Sequence, residues 1–115
     1  MMASTRPNLL GRMEAAHRQT RAHLGRIERQ ISARAERMTT TARAKARRHP
    51  GREPRWTRSD EAMFRACVDR LSFERRGEID LLSRKLSRQE RAILAVRARI
   101  ISNGPTGKAD AHAVL

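Results

Sequence analysis

The sequence predicts an all-α protein: two long helical segments forming an antiparallel, coiled-coil-like helical hairpin, with flexible ends. Three observations carry that expectation. Apolar residues recur at steps of three and four through both halves, and alternation by two is absent. Aromatic residues are 3% of the chain, with no tyrosine, too few for the strands of a sandwich or barrel. Two long stretches, 8–48 and 57–102, contain no proline. A chain of 115 residues has room for one modest core.

Residues 1–7 read as a flexible tail, with Pro7 at a plausible helix start and Asn8 as a candidate cap. The first helical segment, 8–48, puts Leu10, Met13, His17, Thr20, Leu24, Ile27, Ile31, Arg34 and Met38 on the two seam positions of a heptad. His17, Thr20 and Arg34 weaken that seam, and Gly25 costs about 1 kcal/mol relative to alanine. The run His49-Pro50-Gly51-Arg52-Glu53-Pro54 must interrupt any helix, so 49–56 reads as a linker.

In the second segment, 57–102, Thr57 and Asp60 have the spacing of a capping box. Met63, Phe64, Cys67, Val68 and Leu71 form one apolar face. Ile79, Leu82, Leu86, Gln89, Ile93, Val96 and Ile100 continue it as a heptad stripe. Ser72 and Gly77 threaten this helix, so a break is expected near Gly77 or Leu86, and Ser87 with Glu90 reads as another capping box. Asn103-Gly104-Pro105 is a stop, and 103–115 reads as a second flexible tail. Folding at 50–54 would set Leu24 and Ile27 opposite Leu82 and Ile79, with Leu10 and Met13 near Ile93 and Val96. Apolar surface left over by so thin a hairpin favours a homodimer or a helical protein partner.

The formal net charge is +14, from 26 Lys and Arg against 12 Asp and Glu. Twenty-three of those cations are arginine, the side chain that binds phosphate with two parallel hydrogen bonds. In the second half the charges pair at a spacing of four: Glu61 with Arg65, Arg65 with Asp69, Arg70 with Glu74, Arg76 with Asp80, and Asp80 with Arg84. The first half offers essentially one such pair, Glu14 with Arg18. Its arginines lack local partners and call for an external one.

Enzyme chemistry is not expected. His17, His23, His49 and His112 are scattered, no His/Cys pair has zinc-ligand spacing, and Cys67 sits on an apolar face. Gly104 to Lys108 resembles a phosphate loop only superficially: Ser102 stands where its first glycine belongs, and Ala109 where Ser or Thr belongs. No cofactor, metal or small-molecule substrate is implied. One cysteine, no secretory signal and no long apolar run point to a cytoplasmic protein without a membrane span.

The candidate site is the run Arg34, Arg37, Arg43, Lys45, Arg47, Arg48, Arg52, Arg55 and Arg58, with Trp56 inside it. Its partner would be DNA or RNA: the cations neutralise backbone phosphates, and Trp56 stacks on an unpaired base or else closes the hairpin end. A helix-turn-helix is an alternative, with a turn at 85–87 and Arg88, Gln89 and Arg91 opening a recognition helix. The other function class is a helical adaptor for an acidic protein partner. In layout the chain is similar to small accessory proteins of plasmid mobilisation complexes and to helical-hairpin stalk proteins of type III export machines. No motif carries either likeness, so neither transfers a residue role.

Overall fold

A computed structural model describes residues 5–46 and 55–103. Arg47, Arg48, Arg52, the rest of the linker to Pro54, and the expected tails outside these ranges lie beyond the described residues. The described chain forms three helices: α1 (Thr5–Ala46), α2 (Arg58–Glu74) and α3 (Arg76–Asn103). No strand occurs among the described residues. The chain is all-α, and α1 packs against α3 in the manner of a helical hairpin.

Helix α1 begins at Thr5, earlier than Asn8 would have capped it. Pro7 falls in the first turn, where a missing N–H leaves no bond unmade. Helix α2 opens on the expected capping box. The Asp60 N–H donates to Thr57 Oγ1 at 3.1 Å, and Asp60 Oδ2 accepts from the Thr57 N–H at 2.8 Å.

The break in the second segment falls at Arg75, close to Gly77 and away from Leu86. The Arg75 N–H is shared between the carbonyls of Leu71 and Ser72, both at 3.2 Å, and its own carbonyl accepts from the Ile79 N–H at 3.0 Å. Arg75 thereby ends one helix and starts the next, and Gly77 is an ordinary helical residue. Residues 85–87 lie inside α3, so the helix-turn-helix alternative has no turn. The Ser87 capping box is likewise not formed, and the Glu90 carboxylate is instead bound by α1.

The chain divides into two compact units. In the first, residues 5–22 of α1 lie against residues 82–103 of α3. Its buried side chains are Thr20, Leu82 and Ile93. His17 Nε2 is 3.0 Å from Glu90 Oε2, and Arg97 binds Glu14. The partner number rises as the α1 number falls, so the two segments run antiparallel. Glu14 has thus left its expected partner Arg18. Two of the polar seam residues are satisfied: His17 by Glu90, and Thr20 by donating its hydroxyl to the Ala16 carbonyl at 3.1 Å. Gln89 is not, and its buried Oε1 has no hydrogen-bond partner among the described residues.

The second unit comprises residues 23–81. Ile27, Ile31, Ala35, Thr39 and Leu71 are buried, Ile27 to 2% exposure. Here the expected seam needs correction. Arg34 and Met38 were expected inside, whereas Ala35 and Thr39 are fully buried and Arg34 is exposed. The inward positions step by four through 27, 31, 35 and 39, because a straight helix of 3.6 residues per turn drifts against a heptad. A buried unpaired guanidinium would also be costly, whereas Thr39 satisfies itself on the Ala35 carbonyl at 2.9 Å. Among the described residues, no helix is long and apolar enough to cross a membrane.

Candidate functional site

Seven of the ten expected site residues are described: Arg34, Arg37, Arg43, Lys45, Arg55, Trp56 and Arg58. Arg47, Arg48 and Arg52 lie outside the described residues. All seven belong to the second unit, where they fall into two clusters.

The first cluster joins the end of α1 to the start of α2. Arg43 Nε lies 3.0 Å from Asp60 Oδ2, and its Nη2 donates to the Arg55 carbonyl at 3.2 Å. The same guanidinium sits 5.4 Å from the centre of the Trp56 ring. Trp56 Nε1 donates to Glu61 Oε1 at 3.0 Å, and the indole meets Phe64 edge to face at 6.4 Å. Arg43 finds Asp60 on another helix, a partner that spacing along the chain could not reveal. Asp60 is held below its ordinary carboxylate range of 3.8. The largest cause is the Thr57 backbone N–H; burial opposes it, while the Thr57 hydroxyl and the Arg43 charge reinforce it. Arg55, Arg58 and Lys45 are exposed around this clasp, and among the described residues none of them forms an ion pair.

The second cluster is an open groove of about 250 Å³ between α1 and the end of α2, lined by Gln30, Ile31, Arg34, Arg37, Leu71, Glu74 and Arg75. Ile31 and Leu71 form its apolar floor. Arg34 and Arg37, one turn apart on α1, are exposed on its rim and form no ion pair among the described residues. Arg75 is held in place: Nη1 donates to Gln30 Oε1 at 2.9 Å, and Nε and Nη2 both donate to Glu78 Oε1, at 3.1 and 2.8 Å. Glu74 lies 3.8 Å from Arg70, so the groove's one carboxylate already faces a cation.

No family model, curated protein or solved structure matches this chain. The chemistry of the two clusters stands by itself.

The groove joins two expected residues, Arg34 and Arg37, to a third guanidinium that the sequence reading left out. Arg75 was legible in principle. The register expected from the sequence, with Ile27 opposite Ile79, carries residues 30–37 toward residues 71–75, and Arg75 does reach Gln30. Three guanidiniums around one groove, two of them without carboxylate partners among the described residues, suit an anion with several oxygens. Among the described residues there is no group of three or more His, Cys, Asp or Glu side chains that could hold a metal.

Proposed function

We propose that this protein is a small, non-enzymatic, helical nucleic-acid-binding protein that grips backbone phosphates with arginine. The observation that carries the proposal is the exposed pair Arg34 and Arg37, without carboxylate partners among the described residues, on a groove that also holds Arg75. Arg55, Arg58 and Lys45, with their sequence neighbours Arg47, Arg48 and Arg52, would extend the cationic surface. Arg43 and Trp56 contribute as the clasp beside them. Phosphate contacts of this kind position a protein on DNA or RNA without reading sequence.

Salt dependence tests it. If about six cations meet duplex phosphates, log affinity falls with log salt at a slope of about −5. Replacing Arg34 and Arg37 together by Gln should shrink that slope by about two and weaken all sequences alike. The same change at Arg65 and Arg70, whose partners Glu61 and Glu74 are intramolecular, should leave it in place. Equal losses from both pairs would reduce the effect to net charge alone. Binding that ignores salt would move the answer to an adaptor for an acidic protein.

Self-association belongs to the same proposal. In the first unit Leu94 and Ile101 are 62% and 72% exposed, two turns apart on α3, with Ile100 and Leu9 also open to solvent.

A further inference from the structure

Phe73 is 62% exposed in the last turn of α2, while Leu71, two residues before it, is buried. It is not bare. The Arg76 guanidinium carbon lies 3.8 Å from the centre of its ring, and Arg76 Nη1 donates to the Phe73 carbonyl at 2.8 Å. Arg76 thus engages both the ring and the backbone of Phe73. The acids that follow it in sequence, Glu74 and Glu78, already face Arg70 and Arg75, so neither leaves an uncompensated negative charge beside the ring. An exposed aromatic ring stacked with one guanidinium is complementary to a polyanion that also offers flat π surfaces. A nucleic acid with unstacked bases offers both, whereas a duplex buries its base faces.

We infer that Phe73 and Arg76 form a stacking platform for an unpaired nucleobase, and that the nucleic acid bound is single-stranded. This rests on the nucleic-acid binding proposed above and names its substrate class. Phosphates flanking the stacked base would meet Arg75 and the groove of Arg34 and Arg37. Trp56, by contrast, has its N–H on Glu61 and its ring edge to face with Phe64. Phe73 is the better placed aromatic.

The test is fluorescence anisotropy of the full chain with labelled oligothymidylate and, separately, a labelled mixed-sequence duplex at low salt. Phe73→Ala should weaken oligothymidylate binding roughly tenfold and duplex binding less than about twofold. Phe73→Trp should retain single-strand affinity, whereas Phe73→Leu should not, because leucine keeps apolar contact and loses the stack. Helicity by circular dichroism should be unchanged, since the side chain is exposed. Unchanged single-strand affinity in Phe73→Ala, equal loss on both polymers, or full rescue by leucine would each overturn the platform. If both polymers still bind with steep salt dependence, the proposed function survives that loss. A chain that binds neither polymer ends both.

Discussion

Asp60 concentrates several roles in one carboxylate. It caps α2, accepts from the Thr57 N–H, and pairs with Arg43 across the hairpin end, with its side chain only 15% exposed. Because folding lowers its affinity for a proton, Asp60 adds stability that is present above its ordinary value of 3.8 and lost as pH falls through the lower folded value. The thermal midpoint of Asp60→Asn should therefore sit below that of the parent protein at neutral pH. The gap should close in acid below 3.8, and a gap constant with pH would contradict this. The local half of Asp60's role was readable from the Thr57 spacing. Its Arg43 partner was not, because the two lie 17 positions apart on different helices. Thr20 and Thr39 teach the same lesson. A hydroxyl on an inner face looks costly in a sequence, yet a bond to the carbonyl four residues back removes most of that cost.

At the scale of elements, the helices and their hairpin arrangement were legible, because a periodic apolar stripe marks which faces turn inward. The end of the seam was not. A heptad assigned from Leu10 onward accumulates drift, and by residue 34 it puts a guanidinium where Ala35 belongs. The break was expected for the wrong reason. Gly77 suggested it by its low helix propensity, but the interruption lies at Arg75, held by Gln30 and Glu78. A Cβ added at Gly77 meets nothing within 4 Å. Gly77→Ala should consequently stabilise the protein by about 0.5–1 kcal/mol, seen as a higher denaturant midpoint with an unchanged slope. Destabilisation would mean that the junction needs glycine after all. Arg75 itself escaped the site reading because its role depends on α1 and α2 coming together, which local charge pairing does not encode.

For the whole molecule, charge and apolar surface oppose each other. A formal charge of +14 repels a second copy, while Leu94 and Ile101 invite one. Screening resolves the contest in a predictable direction. Sedimentation should show self-association that strengthens as salt is added, the reverse of the trend expected for nucleic acid. Replacing Leu94 and Ile101 together by Gln should remove it, and a chain that stays monomeric at high salt and micromolar concentration would refute it. Composition made both tendencies readable. Which apolar residues stay outside depended on the packing of α3, where Ile93 turns inward and Leu94 outward.

Trp56 is the one tryptophan in a chain without tyrosine, and it sits in the clasp of Arg43, Asp60, Glu61 and Phe64. Indole emission is therefore a reporter of the hairpin mouth alone, blind to the long helices, whereas far-ultraviolet ellipticity reports the helices and scarcely senses the mouth. Following both signals through one melt turns a pair of routine optical measurements into a spatial one. Their separation, or their coincidence, says whether the clasp opens ahead of the helices or together with them.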